Sequence, residues 1–281
     1  MILQKFKTTD KSEAPQPNIS PYWEGYQMAD IMLRDGSTAS DPRLDRLVQF
    51  DERSRGYAIR SLLTEELPLR SNAWRCDAWL DQGKEGACVG FSWAHELAAL
   101  PVAVPADTSL AQKIYRDAQK VDEFPGEDYS GTSVLAGAKI VQNLGYMDEY
   151  RWAFGVDDAL RAVSYSGPVI IGIPWLSSMM TPRPSGLLEV DRDGEVAGGH
   201  AILVRGLALR SRLPGEERGI PVIRLRNSWG REWGHDGDCF IKVEDFDWLL
   251  EQQGDCCVPV QRSQGPAPVT DADAVAEMGD A

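Results

Sequence analysis

The stretch Asp81-Gln82-Gly83-Lys84-Glu85-Gly86-Ala87-Cys88-Val89-Gly90-Phe91-Ser92 joins a glycine-rich turn to the start of an apolar helix. From Ala87 to Leu100 the residues Val89, Trp93, Leu97 and Leu100 recur at helical spacing, and Pro101 stops the run. Cys88 therefore falls in the first helical turn. Unpaired N–H groups and the positive end of the helix dipole favour an anion there, so the thiolate, the reactive form, should be stabilised. The same pattern suits a buried cysteine that merely opens a helix.

Further helices are expected after Pro105, capped by Asp107 or Thr108 and running to about Val121, and after Ser130-Gly131-Thr132-Ser133, ending at Gly145. A shorter one fits Asp157–Tyr165. Beyond that point the period drops to two residues or to short apolar runs. These predict strands over Val169–Ile173, Leu187–Val190, Ala201–Leu209, Val222–Ser228, Cys239–Val243 and Cys256–Val260, with one helix over Asp245–Gln253. A helical first half and a strand-rich second half predict an α+β fold with two lobes and a cleft between them, where ligands usually bind. Residues 1–60 are polar and read as an arm that wraps the domain or is partly disordered, with a short helix near Leu44–Phe50. Residues 61–262 form the domain, and 263–281, with four acidic residues and no Lys or Arg, read as an acidic disordered tail.

A cysteine nucleophile needs a base, and the chain has three histidines. His95, next to Ala94 and Glu96, reads as structural on a partly exposed helix face, and His235 as a solvated turn residue. His200 follows Gly198-Gly199 and opens the apolar strand Ala-Ile-Leu-Val, a position that suits either a cleft or a packed core. A third segment, Arg226-Asn227-Ser228-Trp229-Gly230-Arg231-Glu232-Trp233-Gly234, begins where an apolar strand ends. The Asn227 amide oxygen can hold one imidazole nitrogen and aim the other at a thiol. The Trp229 indole can shield that bond from water, although the segment also suits a plain turn with a core tryptophan.

Taken together, Gln82, Cys88 six residues on, Gly199-His200-Ala201 and Asn227-Ser-Trp-Gly-Arg-Glu-Trp-Gly234 resemble the papain-like cysteine peptidases. The resemblance runs from about Leu67 to Val260. It implies the papain-like two-lobe fold, with a helical left lobe, an antiparallel β-barrel-like right lobe and the active site in the cleft. It implies Cys88 as nucleophile, His200 as base and acid, Asn227 as the orienting residue and Gln82 as oxyanion donor. By the same resemblance Trp229 covers the His200–Asn227 bond, Trp233 walls the leaving-group side, and Gly131, Thr132 and Gly199 line the substrate. No metal or other cofactor is implied.

The sequence also departs from the family. Val89 stands where a tryptophan normally follows the nucleophile, and Glu85 where a disulfide-forming cysteine stands three residues before it. His200 lies 112 residues and Asn227 139 residues after Cys88, against about 130–150 in the family, which implies a trimmed first lobe. An extra hairpin, 211–219, is expected between His200 and Asn227. These features look more like bacterial and bacteriophage members than lysosomal ones.

A net charge of −14 disfavours nucleic acid and anionic membranes as partners. The longest nearly uncharged stretch, Ser164 to Leu188, holds four prolines and cannot be a transmembrane helix. The N-terminal residues carry no apolar core of signal-peptide length, and the five cysteines form no CxxC pair, so a cytoplasmic location is expected. The expected activity is hydrolysis of peptide bonds in a protein or peptide substrate. Two alternatives stand beside it: a cysteine amidase or endopeptidase on peptidoglycan stem peptides, and a catalytically silent papain-like binding module.

Overall fold

The computed structural model describes residues 31–39, 44–63, 67–124 and 129–265. The acidic tail beyond 265 and most of the 1–60 arm lie outside the described residues. The elements run β1 (Ile31–Met32), β2 (Thr38–Ala39), β3 (Asn72–Ala73), α1 (Cys88–Leu97), α2 (Thr108–Gln119), α3 (Val134–Asn143), β4 (Met147–Trp152), α4 (Val156–Tyr165), β5 (Val169–Leu176), β6 (Val196–Ala208), β7 (Val222–Arg226), β8 (Asp238–Lys242), α5 (Val243–Glu251) and β9 (Asp255–Arg262).

The helical lobe forms as its punctuation dictates. Asp107 caps α2 by accepting from the Leu110 N–H, and Ser133 caps α3 by accepting from that of Ala136. All ten residues of α1 are buried. Its neighbours come close at glycines: a Cβ on Gly90 would lie 2.3 Å from the Ala111 carbonyl, and one on Gly137 2.5 Å from the Trp93 ring. Val89, where the family carries tryptophan, fills part of the α1–α3 contact beside Gly137.

Seven strands form one antiparallel sheet in the order β4-β9-β5-β6-β7-β8, with β3 also on β6. Its central strands are buried on both faces. Ile170, Ala201, Leu203 and Cys257 join the core around α1 to α3, while Ile171, Ile202, Val204 and Cys256 join the core that α4 and α5 cover. This double burial explains why these strands read as continuous apolar runs rather than as alternation.

Four local expectations are corrected. Residues 44–50 are extended, not helical: Asp45 and Arg46 bridge to Gly199 and Thr132, and these tertiary bonds override the helical spacing of Leu44, Leu47 and Val48. Leu187–Val190 is no strand beyond a single bridge from Leu187 to Phe240. Residues 211–219 are a strandless loop joining β6 to β7, closed by Ser211 and Gly219. The face of α1 holding His95 and Glu96 is buried. His95 Nε2 accepts the Leu80 N–H at 3.0 Å, and burial holds its pKa down at about 3. Glu96 is 2.8 Å from Arg262, a partner too distant in sequence to be foreseen. The strand β4, paired along β9, was not expected from the sequence. All five cysteines are free and buried.

Candidate active site

Cys88 opens α1 after the turn at Gly83, whose φ of +57° favours glycine, and no side chain caps the helix. Across the cleft His200 lies in β6, paired with Ile173 of β5. The two elements are pinned beside the thiol, because Ser92 donates to the Ala201 carbonyl at 2.8 Å, one turn beyond Cys88 and one residue beyond His200. Asn227 follows β7, its N–H donating to the Gly237 carbonyl. Its Oδ1 lies 2.8 Å from His200 Nε2 and also accepts the Ser228 N–H at 2.8 Å. The imidazole is thus held by one nitrogen, while its Nδ1 is buried without a hydrogen-bond partner.

Gln82 is tied to the same corner. Its N–H donates to the Ser228 carbonyl, Ser228 Oγ donates to Gln82 Oε1 at 2.6 Å, and Gln82 Nε2 donates to the Glu85 carbonyl at 2.8 Å. Trp229 lies against His200 with ring centroids 5.2 Å apart. Trp233, expected to wall the leaving-group side, is wholly buried against Trp229. Its Nε1 donates to the Met180 carbonyl, and its ring packs edge-on to Trp229. His235 is exposed, as expected.

Residues 44–47 lie between Gly131 and Thr132 on one side and Gly199 on the other. Gly199 donates to the Leu44 carbonyl, Arg46 donates to the Gly199 carbonyl at 2.9 Å, and Leu47 donates to the Thr132 carbonyl at 3.0 Å. A Cβ on Gly131 would lie 1.7 Å from the Asp45 carbonyl oxygen, and one on Gly199 2.2 Å from that of Arg46. Both glycines therefore permit a close backbone approach that any side chain would block. Ser130 Oγ binds Asp45 Oδ2 at 2.6 Å, and Ser133 Oγ binds Gln49 Oε1. The arm thus threads the cleft as a strap.

The strap changes the electrostatics. Cys88 and His200 are both completely covered. Burial, reinforced by the Asp45 carboxylate, pushes the Cys88 thiol up to about 12, and burial brings His200 down to about 4. In the strapped form both groups are neutral, which runs against the thiolate expected from the helix N-terminus alone. Desolvation outweighs the dipole here because no water reaches the sulfur.

The sequence did not single out Trp175, edge-on to His200 at 4.8 Å, nor Asp45, Arg46 and Asp255. A carboxylate opening the apolar strand 256–260 was the one available sign of the last. Among the described residues no cluster of His, Cys, Asp and Glu could hold a metal, and no helix is long and apolar enough to cross a membrane.

No family model matches the chain. A curated relative, "Cysteine proteinase 2" of Zea mays, is 30% identical over 131 residues, which are 46% of this chain and 31% of that protein, so the chain spans about a third of its length. Among solved structures, the cysteine protease xylellain of Xylella fastidiosa aligns with a TM-score of 0.52 at 17% identity, covering 84% of this chain and 98% of its own. The bromelain protease of Ananas comosus in complex with the E64 inhibitor aligns with a TM-score of 0.51 at 15% identity, covering 70% and 100%. The chain has the papain-like α+β fold, and it resembles the papain-like cysteine peptidases.

Proposed function

We propose that this protein is a cysteine-type peptidase whose cleft is closed by its own N-terminal strap. The observation that carries the reading is the His200–Asn227 bond at 2.8 Å, which leaves a buried, unpartnered Nδ1 on the strand bonded to the helix of Cys88. An imidazole held in this way is suited to take the thiol proton once the cleft opens to water. Cys88 Sγ then attacks the scissile carbonyl, and the oxyanion is stabilised by the Cys88 N–H and a Gln82 amide N–H. His200 protonates the leaving amine and afterwards activates water to release the acyl group. Asn227 holds the ring, and Trp229 keeps water from that bond. Thr132 and Gly199, whose backbones pair with the strap, would pair with a substrate peptide in its place, and Gly131 would leave it room to approach.

The test is cleavage of a proteome-derived peptide mixture by the purified chain, with Cys88→Ser as control and an epoxide inhibitor as label. Cleavage that vanishes in Cys88→Ser, with the epoxide on Cys88 alone, is expected. A chain that neither cleaves nor takes up the label after the strap is displaced would be a silent binding module.

Gln82 yields a separable prediction. Gln82→Ala should lower kcat about 10²–10³-fold with KM little changed, because the oxyanion exists only in the tetrahedral state. Alkylation of Cys88 by a small haloacetamide creates no oxyanion and should keep its rate. Equal loss of both rates would instead assign Gln82 to holding the loop through Glu85 and Ser228.

A further inference from the structure

The loop that pairs with the strap on the helical side is itself held from behind, by one stripe running off the end of α2. Tyr115, Gln119 and Asp122 are spaced four and three residues apart and so share a face. The Gly131 N–H donates to the Tyr115 hydroxyl at 3.1 Å, and Gln119 Nε2 donates to the Gly131 carbonyl at 3.2 Å. Asp122 anchors the next residue. Its backbone N–H donates to the Ala118 carbonyl at 3.0 Å, which continues the last turn of α2. Its Oδ2 accepts the Thr132 hydroxyl at 2.6 Å, and its Oδ1 accepts that of Tyr129 at 2.5 Å. Burial, together with this carboxylate, holds the Tyr129 phenol above its ordinary pKa, so it stays a donor. Thr132 is fully buried, and its carbonyl faces the strap, where the Leu47 N–H reaches it at 3.0 Å. The stripe also meets the thiol helix, because a Cβ on Gly90 of α1 would lie 2.8 Å from that of Tyr115. Asp122 thus fixes the Thr132 carbonyl relative to the helix that Cys88 opens.

We propose that Asp122 is a positioning residue, which acts through Thr132 and holds its carbonyl where the backbone of a peptide substrate pairs. The proposal rests on the peptidase reading above. A carboxylate suits the task because it accepts from two hydroxyls at once, and charge-assisted bonds are the shorter and stronger kind. The strap uses the same carbonyl, so Asp122 sets the grip on the strap as well as the grip on the substrate.

The experiment compares strapped and open forms of the full chain. In the strapped form Arg46 Nη2 lies 2.7 Å from Asp255 Oδ2, both side chains buried. Gly172 leaves them room, since a Cβ there would lie 2.4 Å from both Arg46 Nε and Asp255 Oδ1. Arg46→Glu sets two carboxylates against each other and gives the open form. In that form Asp122→Ala should raise KM for a fluorogenic peptide about tenfold with kcat within about threefold, because the lost bond serves ground and transition states alike. Asp122→Asn keeps a partner for each hydroxyl and should bring KM back to within about threefold. Alkylation of Cys88 by iodoacetamide involves no peptide, so Asp122→Ala should leave its rate unchanged in the open form. In the strapped form the same substitution should speed alkylation about tenfold, because the strap loses its hold on Thr132. An unmoved KM overturns the proposal. So does a joint fall of kcat and of open-form alkylation, which marks Asp122 as a support of the fold alone. An unmoved strapped-form rate overturns the shared grip. Absence of Cys88-dependent cleavage in every variant overturns the peptidase reading, and strapped-form alkylation then decides by itself whether Asp122 holds Thr132. If Asp122→Ala does not fold, Thr132→Val removes one of the two hydroxyl bonds at nearly unchanged shape and is read in the same way.

Discussion

Replacing Arg46 by Glu raises the rate at which iodoacetamide alkylates Cys88 at pH 7 by at least about 10²-fold. A second carboxylate facing Asp255 in a dry pocket cannot stay ionised there, so the strap is expelled. Burial pushes the Cys88 thiol up to about 12, so Cys88 is protonated at neutral pH. An ordinary exposed thiol, with a pKa of about 8.5, has a few per cent of thiolate, and pairing with His200 would raise that further. The sign of the pH dependence follows. The strapped form is favoured while Cys88 stays protonated, and it loses ground as pH rises through the thiol pKa of the open form. The unmodified chain should alkylate slowly, its rate still climbing tenfold per pH unit above pH 9. Arg46→Glu should react fast and almost independently of pH from 6 upward. Equal rates for the two proteins, measured by mass spectrometry of the Cys88 peptide, would show that the strap does not control the thiol.

Asp238→Ala should cost about 3–5 kcal/mol of stability, more than any surface change in this chain. Asp238 is fully buried at the start of β8 and accepts from Arg205 at 2.5 Å, Arg226 at 2.6 Å and Arg224 at 2.7 Å. Burial alone would raise its pKa, but Arg205 and Arg226 outweigh that and hold it below the usual carboxylate value. Removing the one anion leaves three guanidinium groups facing each other, two of them buried. Arg205 also donates to the Trp74 carbonyl at 2.7 Å and Arg226 to that of Ala78, so the cluster ties the 74–78 segment to β6 and to β7, the strand that Asn227 follows. The loss is read as a fall in the urea midpoint at unchanged slope. A loss below 1 kcal/mol would mean that the arginines find water or other partners.

The sequence made the helical lobe legible because its signals are local: a capping Asp107, a capping Ser133 and the proline after Leu100 act within a few residues. Cys88, His200, Asn227 and Gln82 were legible as residue types in order, and the structure brings His200 against Asn227 and Gln82 against Ser228. The strap was misread for the opposite reason. Leu44, Leu47 and Val48 sit at helical spacing, and nothing nearby in the chain announces that Gly199 and Thr132 will take the backbone bonds of residues 44–47. The Arg46–Asp255 pair joins residues from opposite ends of the described chain. Its meaning depends on Gly172, a third segment, whose lack of a side chain says nothing until the strands are laid side by side.

The sheet strands that serve both cores stitch the two lobes together, since alternate residues of β5, β6 and β9 belong to opposite sides. The jaws of the cleft cannot swing apart without tearing that shared sheet, which leaves departure of the strap as the route by which a peptide gains entry. On the peptidase reading proposed above, inhibitor and enzyme are one molecule, and the strap acts as a tethered competitor at a local concentration that dilution does not change. The apparent KM is the intrinsic one divided by the fraction of molecules with the strap away. Saturating substrate therefore restores the full turnover rate, and progress curves begun from the strapped form show a lag whose limiting rate constant is that of strap opening.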